Sequence, residues 1–113
     1  MPRVSRPAAI LLLTALSLSG GCFGPAPGGF DSPEPGKRIE AATEAARRRD
    51  TGAIRPLISM LDSDDPAARM VAIRALERIT GQTHGYDHAA PEDERRRAVE
   101  RWMEWEARRG AQP

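Results

Sequence analysis

The stretch PLISMLDSDDPAARMVAIRALERITG, Pro56 to Gly81, decides the fold. With Ile54 just ahead of it, Leu57, Ile58 and Leu61 fall at i, i+3, i+4 and i+7, the spacing of one helical face. The run Asp62-Ser63-Asp64-Asp65-Pro66 then breaks the pattern. Asp65 is a good N-cap, and Pro66 suits a first helical position, where a missing N–H costs nothing. Beyond it Val71, Ala72, Ala75, Leu76 and Ile79 share a side until Gly81, a C-terminal stop. The expectation is a helix over Thr51–Leu61, with Pro56 about one turn from its start, and a second over Pro66–Thr80. The two should pack as an antiparallel pair, the first face lying on Val71, Leu76 and Ile79.

Outward from this pair the chain stays helical. Lys37 to Arg49 is Ala-rich, with Ile39, Ala42, Ala45 and Ala46 on one side. A last helix is expected from near Pro91, where Glu92, Asp93 and Glu94 suit the positive end of the helix dipole. It should bury Ala98, Val99 and Trp102, with Trp105 or Met103, and end at Gly110 after Arg108 and Arg109. No segment alternates with period two over the length of a strand, so the fold class is all-α. There is also an echo: Pro35-x-x-Arg38-x-x-Ala41 returns as Pro66-x-x-Arg69-x-x-Ala72. A two-helix repeat with the spacing from Pro35 to Pro66 signals an α-solenoid.

Pro56–Gly81 resembles a HEAT repeat of the short bacterial type, through Pro56-Leu57-Ile58, the Asp-Asp-Pro turn at 64–66, Arg69, Ala72, Ala75 and Leu76. The resemblance spans roughly Pro35 to Gly81. The earlier copy is degenerate, with Glu44 where Ala75 stands and Ala45 where Leu76 stands. The resemblance implies a short α-solenoid of HEAT-like helix pairs over residues 37–113. It also implies hydrogen bonds between neighbouring units from the turn Asp to the following Arg, which gives Asp64 or Asp65, Pro66 and Arg69 a structural role. Gln82–Arg109 is similar to the segment that follows such repeats in some envelope proteins of GC-rich bacteria. Its Trp-containing helix is read as a cap over the solenoid end, Trp102 being the main contact and Trp105 the more exposed ring.

The N-terminus reads as an address. Met1 to Pro7 carries Arg3 and Arg6, and Ala8 to Ser19 is an uncharged, largely apolar run. As a helix that run rises roughly 18 Å, well short of the ~30 Å bilayer core. Ser19-Gly20-Gly21 leads directly into Cys22, the only cysteine. The arrangement resembles a bacterial lipoprotein signal peptide (1–21), in which the thiol after the cut is acylated. It departs in one slot: Leu18 lies four residues before the cysteine, and Ser19 stands where the family prefers Leu. The resemblance implies lipidation at Cys22, a membrane anchor and a place in the bacterial cell envelope, on its periplasmic side. Residues 22–36 are Gly/Pro-rich and read as a tether, with Asp31, Ser32 and Pro33 marking where order begins.

Composition narrows the function. A chain of 113 residues holds one small domain, and a single cysteine excludes an intramolecular disulfide framework or a Cys-rich zinc site. Past residue 21 there are 15 basic and 16 acidic groups, a balance that argues against nucleic acid as partner. Sixteen of the 17 basic residues are Arg, the bias of a GC-rich genome. His84 and His88 have the H-x-x-x-H spacing, yet Gly81, Gly85 and Pro91 make that stretch a loop, and it reads as a turn with Tyr86 folded onto the helices. Asp62, Asp64 and Asp65 lack the Gly and terminal Glu of a calcium loop and read as capping residues. Arg47–Arg49 and Arg95–Arg97 read as solvated helix faces. No Ser-His-Asp set, Cys-His pair or phosphate-binding glycine loop is present, so no catalytic, metal or cofactor residue is assigned. Trp105, Arg101 and Arg108 are the candidate contacts for a protein partner, because Trp and Arg dominate binding surfaces. The expected function is therefore a membrane-anchored interaction module or accessory subunit of the envelope. The alternatives are a purely structural lipoprotein, or an enzyme akin to the lyases that carry short HEAT-like repeats.

Overall fold

A computed structural model describes residues 29–112. It contains α1 (Pro35–Arg48), a 3-10 turn (Thr51–Ala53), α2 (Ile54–Met60), α3 (Pro66–Thr80) and α4 (Glu92–Ala111), with no strand among the described residues. The turns that precede α1 and α3, one in each copy of the echo, have the same construction. Ser32 Oγ accepts from the Glu34 amide and Ser63 Oγ from the Asp65 amide, each at 3.1 Å. Glu34 and Asp65 hold the same extended backbone, φ −84°, ψ 119° and φ −83°, ψ 114°. A proline follows at the first helical position, and an arginine three residues on folds back over the turn. Arg38 Nη1 donates to the Ser32 carbonyl at 2.6 Å, and Arg69 Nη1 to the Ser63 carbonyl at 2.9 Å. Asp65 also caps α3 through the Ala67 amide at 2.9 Å, whereas Glu34 caps nothing.

The helix limits follow from local chemistry and correct several expectations. α1 starts at Pro35, two residues ahead of Lys37, and ends at Arg48 because Arg49 turns left-handed at φ 49°. Its amide then reaches back to the Ala46 carbonyl at 3.2 Å. The α-helix expected from Thr51 starts only at Ile54. Pro56 has no N–H to offer the carbonyl four residues back, so it is tolerated only within a first turn. The residues ahead of it form the 3-10 turn, capped by Asp50 accepting from the Gly52 amide at 2.9 Å. α3 is bounded as expected, ending at Gly81 with φ 78°. α4 runs through Gly110 to Ala111, so that glycine does not stop it. Within the stretch read as a tether, residues 29–36 are described, and Phe30 lies buried in the core. Cys22 and residues 1–21 lie outside the described residues.

The architecture is a short α-solenoid. α1 packs along α3 in one layer; α2 packs on α3 and touches α4, making the second layer. Ile54, Leu57, Leu61, Leu76 and Trp102 are fully buried. The buried side of α3 is rotated from the expected one: Ala68, Arg69 and Ile73 join Ala72, Ala75 and Leu76, while Val71 and Ile79 are only partly covered. The reason is that α3 lies between α1 and α2 and needs two apolar faces. On α4, Trp102 is buried and Trp105 half-buried.

Leu57→Ala or Leu76→Ala should each destabilise the domain by about 2–5 kcal/mol in denaturant unfolding, as a large-to-small change in a packed core does. A loss below about 0.5 kcal/mol is the mark of a surface site and would remove these residues from the core. Arg49→Gly should act in the opposite direction, raising stability by roughly 0.5–1 kcal/mol, since an exposed L-residue in the left-handed region carries a steric cost that glycine escapes.

Candidate interaction surface

α4 is fastened to the rest of the domain through the loop 81–91. Trp102 Nε1 donates to the Thr83 carbonyl and Arg101 Nε to the His84 carbonyl, both at 2.9 Å. His84 and Gly85 are left-handed at φ 51° and φ 76°. A Cβ on Gly85 would stand 3.0 Å from Arg101 Nη2, so the glycine supplies both the backbone turn and room for the guanidinium. One residue on, the Tyr86 hydroxyl donates to the Leu61 carbonyl at 2.6 Å, pinning the loop to the end of α2. Tyr86 is buried, as the sequence suggests, and burial pushes its phenol above the usual range.

His84 lies within an aromatic group. Its ring meets Trp102 edge-on at 4.4 Å and 88° and sits 5.5 Å from Trp105; the two indoles are 5.4 Å apart at 83°. Arg109 covers Trp105 at 5.5 Å. Of the three candidate partner contacts, the structure brings Trp105, Arg101 and Arg108 onto one strip of α4 facing His84. Two of them already serve the fold: Trp105 packs against the core and Arg101 holds the loop. Arg108 is exposed. His84 and His88 do not converge on a metal, and among the described residues no group of three or more His, Cys, Asp or Glu could hold one. His84 Nε2 is instead buried without a partner. Burial, reinforced by Arg108 and Arg101, holds the imidazole below its ordinary pKa.

Arg69 does bond to Asp64 of the turn, through the main chain of that residue. It is only 8% exposed and does not pair with the carboxylates of Asp64 or Asp65. Its guanidinium donates to the carbonyls of Ser63 (2.9 Å), Asp64 (3.2 Å) and His88 (3.3 Å), tying its own turn to the next loop. The acceptors are main-chain oxygens, and the contact joins two connections within one domain.

The larger concavities lie elsewhere. A hollow of about 480 Å³ is lined by Phe30, Arg38, Arg55, Ser59 and Met60 among others. A second, of about 280 Å³, lies between α2 and α4 against Arg55, Ile58, Ser59, Met103 and Ala107. Arg55 and Ser59 border both, so the two hollows adjoin at the outer face of α2, and the first also carries the acids Asp31 and Asp62. Met103, 59% exposed, is the only large apolar side chain left open among the described residues. Sequence reasoning passed over these hollows. The available signal was that Arg55 and Ser59 stand four apart opposite the Leu57/Leu61 face, and that Met103 falls off the Ala98/Trp102/Trp105 stripe.

The family profile for HEAT repeats matches residues 29–101. The chain belongs to the HEAT repeat family. No curated protein and no solved structure matches it. The HEAT match begins at Gly29 and runs into α4, wider at both ends than the Pro35–Gly81 likeness read from the sequence. The match takes in the Phe30 turn and the first half of α4, while Trp102 and Trp105 lie just beyond it. HEAT arrays are commonly protein-interaction modules, binding through the extended face of one helical layer.

Because the unfolded chain takes up a proton near pH 6.5 and half-buried His84 resists it, the His84 contribution to stability should be flat above about pH 7.5 and fall as pH drops through about 6.5. His84→Asn, which tolerates a positive φ, should flatten the decline between about pH 7.5 and 5.5 in thermal melts. An identical slope in both proteins would show that His84 is not the group responsible.

Proposed function

We propose that the chain is a bacterial envelope lipoprotein, anchored by lipid on Cys22, whose HEAT domain works as an accessory protein-binding subunit. The observation that carries the binding half is the pair of adjoining hollows along α2, with Met103 exposed at the edge of one and Arg55 in no ion pair among the described residues. HEAT arrays use one helical layer to bind other proteins. Fold alone names no ligand; any specificity lies in these side chains. The anchoring half is supported by the short apolar run that ends at the sole thiol. No described helix is long and apolar enough to cross a membrane. Attachment to a bilayer would then rest on acyl chains, each buried CH₂ contributing about 0.8 kcal/mol.

Intact-mass measurement of membrane-extracted protein should show residues 22–113 plus acyl chains, and Cys22→Ser should release the chain from the membrane fraction. An unmodified thiol at Cys22, or a mature chain that keeps Leu11–Leu13, would overturn the anchoring. Purification from native membranes should bring down a stoichiometric partner, which separates an accessory subunit from a purely structural lipoprotein.

A further inference from the structure

We propose that the chain associates with further copies of itself, the outer row Glu100, Met103 and Glu104 of α4 on one copy docking into the hollow between α1 and α3 on the next. The inference goes beyond the accessory-subunit reading and stands without the lipid anchor.

The charge of the hollow is the first argument. It holds about 260 Å³, floored by Ala42, Ala46, Val71 and Ala75 and rimmed by Arg74 and Arg78. No acid borders it, whereas the hollows along α2 carry Asp31, Asp62 or Glu106, and the one beside Arg69 carries Asp62, Asp64 and Glu92. Arg74 is exposed and enters no ion pair among the described residues. Arg78 uses only Nε, which donates to the Ala46 carbonyl at 3.0 Å and fixes the guanidinium at the rim. On α1, Glu44 is held by Arg47 at 3.0 Å. Glu77, the only acid on α3, does not line the hollow and forms no ion pair among the described residues.

The complement stands on the same chain. Glu100, Met103 and Glu104 fall at i, i+3 and i+4, so they share one face of α4. Met103 is the exposed large apolar side chain of the domain, and both glutamates are exposed and in no ion pair among the described residues. Most cations around them are engaged: Arg96 by Glu92 at 3.0 Å, Arg97 by Asp93 at 3.1 Å, Arg101 by the His84 carbonyl at 2.9 Å. Arg108, a turn beyond Glu104, is the exception and marks the end of the row. The two charge pairs match in pitch, since Glu100 and Glu104, like Arg74 and Arg78, are separated by about 6 Å of helical rise. A flexible thioether between two acids fits an apolar floor between two guanidinium groups.

The row belongs to the α2/α4 layer and the hollow to the α1/α3 layer, so one pair of facing surfaces cannot satisfy both. The contact is therefore heterologous, and its repetition builds a ring or an open array.

A photo-crosslinking amino acid at Met103 of the full-length chain in cell membranes should link two copies, through a peptide of α1 or α3. Arg74→Glu, or Glu100→Arg with Glu104→Arg, should each lower the yield about tenfold or more, and uniting the lesions in one chain should restore it several-fold. In detergent solution the wild type should grow past the dimer with concentration and shrink as salt rises from about 0.05 to 0.5 M. Arg74→Ser and Met103→Ser chains should each stay monomeric alone and stop at a pair when mixed, because the mixture holds one intact hollow and one intact row. The altered residues are exposed and unbonded, so an unchanged melting temperature separates a lost contact from a lost fold. A wild type that remains monomeric, a closed symmetric dimer, a link from Met103 only to another protein, or indifference to charge reversal would each overturn the self-association.

Discussion

The domain depends on one buried guanidinium. Arg69 has lost nearly all its water, and a buried charge is tolerated only when its donors are met. Nε and Nη1 meet three carbonyls that belong to two different connections, the α2–α3 turn and the loop before α4. Short helices such as α2, with seven residues, have little stability of their own. What positions them is the fixing of their ends. With the loop held at His88, Tyr86 reaches the end of α2, and Thr83 and His84 offer their carbonyls to α4. A third arginine repeats the device at smaller scale: Arg95 Nη1 folds back from the first turn of α4 onto the Ala90 carbonyl at 2.6 Å. Cations at helix N-termini oppose the dipole, and here the hydrogen bonds across each turn offset that cost.

How much of this was legible depended on whether the signal was local. α3 could be bounded to the residue because Asp65-Pro66 and Gly81 carry their instructions in their own backbone chemistry. The start of α2 was misread because helical spacing persists through Thr51–Ala53 while the proline restriction at Pro56 moves the α-helix later. Phe30 was hidden by Gly and Pro neighbours that suggest a tether. The same shift that lays Pro35 on Pro66 aligns Phe30 with Leu61, Asp31 with Asp62 and Ser32 with Ser63. Extending the echo back from Pro35 to Phe30 would have placed that ring in the core. For Arg69 the bond to Asp64 was legible from the turn pattern, but those to Ser63 and His88 were not, since carbonyls carry no mark in a sequence. The hollows along α2 were not legible at all. Arg55 and Met103 belong to helices far apart in the chain, and only packing makes them neighbours.

α4 divides two tasks that the sequence runs together. Trp102 and Trp105 point inward and build the aromatic group around His84. Met103, one position beyond Trp102, is turned by about 100° and lines the outer hollow. The Trp/Arg strip that looks like a binding surface is largely consumed in holding the loop, and the less conspicuous side of the helix remains open. Residue types favoured at interfaces are thus informative only after their internal partners are known.

Between α1 and α3, Ala42, Ala46, Val71 and Ala75 line a shallow hollow, small side chains that bury little apolar area, and Arg78 Nε donates across it to the Ala46 carbonyl at 3.0 Å. α1 is also where the chain enters the domain. Any pull transmitted through residue 29 therefore acts first on Phe30 and on the Arg38–Ser32 contact, and next on the Arg78–Ala46 bond between α1 and α3. Under mechanical load the domain would open like a zip from this end, shedding α1 while α2, α3 and α4 stay locked around Arg69 and Trp102.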